Sequence, residues 1–516
     1  MWRMFAHRNV KADKEHLLTK DDLKAFKEAL SAALRTTKHA DEVFDNRFIE
    51  LRPGTIASLR SPANHLLTGR RGVGKSTTLA IFQRRAEHEN ARVIFVDVQL
   101  HRSRQYPDVL IDIIVDILKE IQIHRWTWKR EPRRFRRRAA DLLEILHNLL
   151  DAASEVTVSM ETEKARSTDS EVKLRTNVAK KFATIVARAS NSRSSRTQRS
   201  EISTQTRSKQ DYLRDLTPEI SAVLEEGARA NGRDDLFVIL DDFYFITKEQ
   251  QPLVLDYLHS MTKRSNVWLK IGSVRSRTHT YSEGDPPLGM QQSHDLHLLP
   301  LDIGLSEFAT AKSFLEDVVN GVLDPTGLKI QEVMTPTARE RAVLAVGGAV
   351  ARDYFDLLIA SADAAWESAQ KRNEGATPLK IQAENIHTAA GLRLERKKDD
   401  LRSDAKRDVS RLEGRLADLV KFAHTHKTLY FLVKREDLDS EWGREVAELE
   451  DLRFVHRIAT SRPNSAKWRG VDTVVFMMDL ASLIKERLRG FPIIEFWKPG
   501  NKDALRKSKW IYEGTV

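Results

Sequence analysis

Hydrophobic residues form two successive patterns along the chain, the first with helical spacing and the second with short apolar runs. Leu23, Phe26, Leu30 and Leu34 recur at helical spacing, which predicts a helical N-terminal extension over residues 1–43. From about residue 64, short β-rich apolar runs alternate with amphipathic helical stretches. This alternation is typical of a mostly parallel sheet covered by helices. The predicted strands are 65–68, 92–98, 236–241, 267–272 and 294–301.

One long gap interrupts this alternation, between the second and third strands. We interpret 125–212 as an insertion with a helix near 139–152, a strand pair at 155–160 and 171–175, and a linker. The linker, 189–200, has almost no apolar residues, so burial cannot offset the entropy of ordering it. Helical periodicity returns beyond residue 300. The predicted parts are the extension 1–43, an α/β core 44–300, a helical region 301–395 and a C-terminal region 396–516 with a basic tail.

Composition excludes several classes of protein. The 516 residues contain no cysteine, which rules out disulfides, thiolate zinc sites and thiol nucleophiles. No apolar run approaches the roughly 20 residues that span a bilayer, since Asp112 and Asp116 break the longest candidate. The N-terminus is too charged for a signal peptide. We therefore expect a cytoplasmic protein without a membrane partner.

The net charge of +11 permits an acidic partner without identifying one. Arginine-rich segments with interspersed aromatic residues occur at 125–138 and 496–510. Such segments bind phosphates and stack on bases. A solvated, arginine-rich connection would have the same composition, and both interpretations of 125–138 stay open.

The strongest motif follows the first predicted strand. Gly69, Gly74, Lys75 and Ser76 occupy every fixed position of the phosphate-binding pattern G-x-x-x-x-G-K-[ST]. Gly72 and Gly74 allow the turn that points backbone N–H groups at phosphate oxygens. Lys75 would contact the β- and γ-phosphates, and the Ser76 hydroxyl would bind Mg²⁺. We assign nucleotide binding to Gly69, Arg70, Arg71, Gly72, Val73, Gly74, Lys75, Ser76 and Thr77.

A second, acidic motif ends the strand 236–241. Asp241 would hold Mg²⁺, and Asp242 would orient or deprotonate the attacking water. Many P-loop ATPases have Glu at the second position, and Asp is one methylene shorter. Slow hydrolysis is therefore an open alternative.

Polar residues also follow the strand 267–272. Ser273 is placed to hydrogen-bond the γ-phosphate or the water, since strand ends of open α/β sheets face the ligand. Arg275 or Arg277 would neutralise developing charge, within one subunit or across a subunit interface.

These motifs resemble, in order and spacing, those of the AAA+ and STAND ATPases. Residues 347–365 resemble the lid of the origin-recognition-complex and replication-initiator AAA+ ATPases. Arg352 matches their sensor 2 arginine, which implies that it contacts the γ-phosphate and couples the lid angle to nucleotide state. The resemblance implies ATP and Mg²⁺ as cofactors. It also implies a parallel sheet of order 5-1-4-3-2, a helical lid over 301–395 and a C-terminal winged-helix-like domain.

The winged helix would occupy 404–485, and its groove helix would begin near Glu441. That helix is acidic, and acidic side chains repel a phosphate backbone. Arg462, Lys467 and Arg469, between the two predicted wing strands, are better candidates for DNA contacts. A protein-docking role for this domain stays open.

Two functions remain after these arguments. The first is an ATP-hydrolysing AAA+ regulator whose nucleotide state controls contacts with DNA or a partner protein. The second is an ATP-loaded switch with little turnover, acting as a sensor or scaffold in a multi-protein system such as anti-phage defence. Homo-oligomer formation is compatible with both.

Overall fold

The structure is a computed structural model, and it describes most of the chain. The described residues are 19–35, 48–89, 91–122, 130–151, 155–158, 205–229, 235–263, 265–371, 380–405, 409–461, 470–483, 491–501, 504–505 and 510–514. The linker 189–200, the predicted strand 171–175 and the basic residues Arg462, Lys467 and Arg469 lie outside them.

The chain forms two compact units. The sheet unit contains 38–45 and 52–302, and the helical unit contains 1–37, 46–51 and 303–516. The helices of the sheet unit are Thr55–Arg60, Lys75–His88, Asp108–Gln122, Arg130–Asp151, Lys209–Arg229 and Gln251–Thr262. The helices of the helical unit are Lys20–Arg35, Phe308–Leu323, Ile330–Val333, Pro336–Val346, Ala351–Lys371, Ala383–Leu392, Leu394–Ala405, Val409–His426, Glu441–Asp451 and Leu480–Leu483.

A five-stranded sheet forms the centre of the sheet unit. Its strands are β1 (His65–Thr68), β2 (Arg92–Asp97), β3 (Leu236–Asp241), β4 (Val267–Ser273) and β5 (His297–Pro300). They are all parallel and lie in the order β2-β3-β4-β1-β5. This order confirms the expected 5-1-4-3-2 arrangement and the α/β fold class.

Burial explains why these strands appear in the sequence as continuous apolar runs. Every residue of β1 and of β3 is buried, because helices cover both faces of the sheet. The edge strand β5 is mostly exposed. The carboxyl ends of β1, β3 and β4 therefore meet at one buried edge of the sheet, where the predicted site residues follow.

The insertion packs on the sheet unit through its long helix. Leu142 and Leu146 of Arg130–Asp151 are fully buried, and Arg138 Nε donates to Glu219 Oε1 at 2.8 Å. The strand Glu155–Val158 pairs antiparallel with Gln205–Ser208, a partner that the sequence did not predict, and the expected partner 171–175 lies outside the described residues. The local alternation identified a strand, but it carried no information about a partner about 50 residues away.

The helical unit ends in a small antiparallel sheet. Its strands are β6 (Tyr430–Lys434), β7 (Val455–Ser461) and β8 (Thr473–Met478), in the order β6-β8-β7. The chain terminus adds to its edge, since Tyr512 N donates to Leu432 O at 2.8 Å. A further short strand pair, Tyr281–Ser282 with Leu288–Gly289, lies in the sheet unit.

Within the described ranges, no helix combines the length and the apolar character needed to cross a membrane.

Candidate functional site

The loop that follows β1 turns sharply into the helix Lys75–His88. Gly72 and Gly74 have φ angles of +86° and +101°, a region that L side chains seldom adopt. A Cβ atom on Gly74 would meet nothing within 4 Å, so its backbone angle, and not crowding, favours glycine there. The predicted phosphate loop thus has the local shape that its glycines imply.

Lys75 opens this helix with a buried ammonium group. Its Nζ donates to Gly69 O at 2.7 Å and to Arg70 O at 3.1 Å. Burial lowers the pKa of Lys75, and the negative charges of Asp242, Asp302 and Asp241 act in the opposite direction. Three carboxylates therefore lie close enough to Lys75 to raise its pKa.

Asp241 is fully buried at the end of β3. Burial and the charge of Asp242 raise its pKa to about 6, against the hydrogen bond of the Ser76 hydroxyl, the Asp242 N–H and the charge of Lys75. Its Oδ1 accepts from Asp242 N at 3.0 Å. Its Oδ2 is buried and has no hydrogen-bond partner among the residues that the structure describes.

This unpaired carboxylate oxygen fits a cation beside the loop. Ser76 and Asp241 provide a hydroxyl and a carboxylate oxygen, which are the hard oxygen ligands that Mg²⁺ prefers. In the described part of the chain, no three His, Asp or Glu side chains are grouped as a metal site. That fits Mg²⁺, which usually takes one or two protein ligands and completes its shell with phosphate oxygens and water.

Asp242 lies half-buried at the start of the turn that follows β3. Its φ of +56° is in the left-handed region, which Asp adopts more readily than most residues. Of the three carboxylates near Lys75, Asp242 raises the pKa of Lys75 most. The structure thus brings both predicted acids to the phosphate loop.

Ser273 ends β4 beside the first residue of the loop. It pairs with Thr68 across the sheet, and Gly69 N donates to Ser273 O at 3.3 Å. Its side chain is fully buried, and its hydroxyl lies 2.6 Å from the Thr278 hydroxyl.

The two candidate arginines lie on the turn after β4 and differ in environment. Arg275 is exposed. Arg277 is half-buried, and its guanidinium lies 5.8 Å from the ring centroid of Tyr244, in the turn that follows Asp242. Arg277 therefore contacts the turn after Asp242 within the same chain, whereas Arg275 is exposed.

Arg352 belongs to the helical unit and not to the sheet unit that carries the loop. Gly347 and Gly348 form a turn with φ angles of +73° and +121°, and the helix Ala351–Lys371 begins after it. Arg352 is exposed in the first turn of this helix. The local structure is the glycine turn and helix start that its sequence predicted.

Sequence reasoning missed two residues of this site. Asp302 follows β5 and accepts hydrogen bonds from Arg70 of the loop. Gly272 lies beside Asp241, because a Cβ atom there would come within 2.8 Å of Asp241 Oδ1. Neither residue belongs to a recognisable motif, and only the parallel pairing of distant strands brings them to the loop.

Comparison with known proteins finds similar chains among solved structures. No protein-family model matches the chain, and no curated protein matches it. Among solved structures, it is similar to the Aeropyrum pernix ORC1 protein in complex with DNA. The sequence identity is 15%, the TM-score is 0.34, and the match covers 87% of this chain and 94% of the other.

Proposed function

We propose that this chain binds ATP with Mg²⁺ at the loop 69–76 and hydrolyses it, and that its nucleotide state controls contacts with DNA or a partner protein. The proposal covers the loop residues 69–77, with Ser76 and Asp241 as Mg²⁺ ligands. It includes Asp242 and Ser273 at the reacting water and phosphate, and Arg352 as the sensor in the helical unit.

One observation carries the proposal. A fully buried carboxylate, Asp241, has an oxygen without a hydrogen-bond partner beside the hydroxyl of Ser76 and the ammonium of Lys75. Burying an incompletely paired carboxylate costs free energy, about 1–3 kcal/mol or more for a charged group. Binding of a cation to this oxygen would explain why an incompletely paired carboxylate is buried here.

The roles of the residues follow from their chemistry. Lys75 carries the positive charge that a polyphosphate requires, and the loop N–H groups at the helix start favour anions. Mg²⁺, when bound, neutralises charge on the phosphate oxygens. Asp242 accepts a hydrogen bond from the attacking water and orients it.

ATP binding and the rate of ATP hydrolysis, measured for two variants, test this assignment. Lys75→Ala should weaken ATP binding about 100-fold or more, because a buried cationic partner worth about 3 kcal/mol is lost. Asp242→Asn should keep binding and lower kcat about 100-fold or more, as expected for loss of a general base. Glu249→Gln is a matched control, since Glu249 is exposed on the loop after the same strand. Normal hydrolysis by Asp242→Asn would show that another group acts on the water.

The C-terminal elements support a DNA or protein contact. A helix, β6, the helix Glu441–Asp451, β7 and β8 follow one another, with the sheet order β6-β8-β7. These elements support our proposal of a C-terminal winged-helix-like domain. One acid of Glu441–Asp451 is paired within the domain, because Arg415 Nε donates to Glu445 Oε2 at 2.6 Å and Arg411 lies 3.3 Å from Glu445 Oε1. The helix remains acidic overall, so we infer that DNA contacts come from Arg462, Lys467 and Arg469 between β7 and β8, which lie outside the described residues, and not from this helix.

The second candidate, an ATP-loaded switch with negligible turnover, is favoured by the side chain after β3. Asp242 is one methylene shorter than the Glu of many P-loop ATPases, and its main chain is held through Asp241 Oδ1. A steady-state ATPase assay with and without duplex DNA separates the two candidates. DNA-stimulated turnover supports the regulator, and retained nucleotide without turnover supports the switch.

A further inference from the structure

Asp302, the second residue after β5, contacts the phosphate loop. Leu301 N donates to Thr68 O at 2.8 Å, which extends the pairing of β5 with β1 beyond the strand ends. Asp302 comes next, and its Oδ1 accepts from Arg70 N at 2.9 Å and from Arg70 Nε at 3.2 Å. One carboxylate oxygen thus binds both the main chain and the side chain of the second loop residue.

The ion pair between Arg70 and Asp302 is partly buried, unlike an ion pair on the surface. The Arg70 side chain is 8% exposed and that of Asp302 is 31% exposed. A buried guanidinium needs a hydrogen-bonded anion, and removing one partner of such a pair costs more than breaking an exposed one. The position of Arg70 therefore depends on Asp302.

Arg70 in turn helps to hold the loop lysine. Lys75 Nζ donates to the carbonyl oxygens of Gly69 and Arg70. A displacement of Arg70 would displace those acceptors, and with them the ammonium group. A continuous chain of contacts runs from Asp302 through Arg70 to Lys75.

Asp302 is also held from the opposite side. Arg52 Nη2 donates to the main-chain oxygen of Asp302 at 2.7 Å. Arg52 and Asp302 are the first and last residues of the long continuous stretch of the sheet unit. The contacts of Asp302 therefore join the two ends of that stretch to the phosphate loop.

We propose that Asp302 is a positioning residue for nucleotide binding: it fixes Gly69 and Arg70, and through them Lys75, in the arrangement that receives a polyphosphate. The role rests on the proposed function of the loop. It requires no contact between Asp302 and the nucleotide.

Electrostatic repulsion between the Asp302 carboxylate and the phosphates would have the opposite effect on nucleotide affinity. A carboxylate close to Lys75 repels a polyphosphate, so loss of its charge would tighten binding if repulsion dominated. Positioning predicts weaker binding instead. It also predicts that Asp302→Asn is milder than Asp302→Ala, because the Asn carbonyl oxygen can still accept from Arg70 N.

The test is a titration of the full chain with a fluorescent N-methylanthraniloyl ATP in the presence of Mg²⁺. We expect Asp302→Ala to raise Kd about tenfold and Asp302→Asn about threefold, as for loss of charge-assisted hydrogen bonds. Glu89→Ala is the matched control, since Arg60 Nε lies 2.8 Å from Glu89 Oε2 in the same unit. It should leave Kd unchanged.

Arg70→Ala and the double variant Arg70→Ala/Asp302→Ala distinguish positioning from a general loss of structure. If Asp302 acts through Arg70, the loss in the double variant should be smaller than the sum of the two single losses, because both single variants remove the contact between the Arg70 side chain and Asp302. Thermal melting without nucleotide identifies a variant that fails to fold, and Asp302→Asn then carries the comparison.

Unchanged or tighter binding by both Asp302 variants, or additive losses in the double variant, would overturn the positioning role. If the unmodified chain does not bind the fluorescent nucleotide at all, the proposed function fails, and this inference fails with it. The two failures are therefore distinguishable.

Discussion

At the scale of single residues, the burial of Asp241 has a cost in stability. Its pKa is raised from 3.8 to about 6, chiefly by burial and then by the charge of Asp242. The folded state therefore binds this proton more tightly than the unfolded state does. The resulting contribution is fully present below pH 3.8 and is lost as pH rises through about 6.

Asp241→Asn should consequently stabilise the nucleotide-free protein at pH 8. A shift of about two pKa units corresponds to roughly 3 kcal/mol of unfolding free energy, and the gain should shrink as pH falls towards 5. Urea unfolding of both proteins at several pH values measures this difference. Glu249→Gln should change little, because Glu249 is exposed. Destabilisation by Asp241→Asn at pH 8 would show that Asp241 is well paired in the native state.

Lys270 lies in the middle of β4, and its titration changes stability with pH in the direction opposite to that of Asp241. Lys270 Nζ is fully buried and donates to Ser61 O, Ala63 O and His65 Nδ1, at 2.9, 2.6 and 3.0 Å. Burial nevertheless lowers its pKa from 10.5 to about 7. Because the unfolded state then binds more protons between pH 7 and 10.5, this residue makes stability rise with pH across that window.

Lys270→Met should remove that pH dependence. Unfolding free energies measured by urea at pH 7, 8 and 9 should rise less steeply in the variant than in the unmodified chain. Lys263→Met, which alters an exposed lysine in the same unit, should keep the original slope. An identical slope in Lys270→Met would assign the pH dependence to other groups.

At the scale of elements, the glycine turn before Arg352 packs directly against β7. A Cβ atom on Gly347 would lie 2.1 Å from two ring atoms of His456. Gly347 also ends the helix Pro336–Val346 with a φ of +73°. Both the conformation and the close approach exclude a side chain at this position.

Gly347→Ala should therefore destabilise the protein more than Gly54→Ala does. Gly54 has a comparable φ of +85°, but a Cβ atom there would meet nothing within 4 Å. Both variants carry the strain of a left-handed residue, about 1–2 kcal/mol, and only Gly347→Ala adds overpacking of about 1–3 kcal/mol. Urea unfolding measures both losses. Equal losses would mean that His456 moves away at little cost.

The elements of the sheet unit could be predicted because their signals are local. A buried parallel strand appears as an apolar run, and the phosphate loop has fixed residue types at fixed spacing. Asp302 could not be predicted, since it contacts Arg70 across 232 residues of sequence and resembles any loop acid. The pairing of Glu155–Val158 with Gln205–Ser208 could not be predicted for the same reason, because pairing depends on the path of the chain between the strands.

The buried ion cluster of the helical unit was also invisible in the sequence. Asp353, beside Arg352, is paired with Arg393 at 2.8 Å and with Arg453. Asp479 is paired with Lys397 at 2.6 Å and with His456 at 2.9 Å. The paired residues are between 23 and 100 residues apart in the sequence and carry no motif. They stabilise the start of the helix that presents Arg352.

At the scale of the whole molecule, the proposed function requires the nucleotide signal to alter contacts with a partner. The net charge of +11 permits DNA as that partner, and such binding should weaken steeply with salt. We predict that ATP and ADP give different affinities for duplex DNA, measured by fluorescence anisotropy at fixed salt.

Arg352→Ala should remove the difference between ATP and ADP, because Arg352 is proposed to sense the γ-phosphate. Lys371→Ala is a matched control, since Lys371 is exposed at the other end of the same helix. A difference that persists in Arg352→Ala would assign the sensing role to another residue.

The most direct test of the central claim is a calorimetric titration of ATP into the full chain with and without Mg²⁺, for the unmodified protein and for Asp241→Asn. We predict that Mg²⁺ strengthens ATP binding to the unmodified chain at least about tenfold, or roughly 1.4 kcal/mol, and that this gain is lost in Asp241→Asn. An equal Mg²⁺ effect in both proteins would contradict a metal site at Asp241, and with it the proposed arrangement of the nucleotide site.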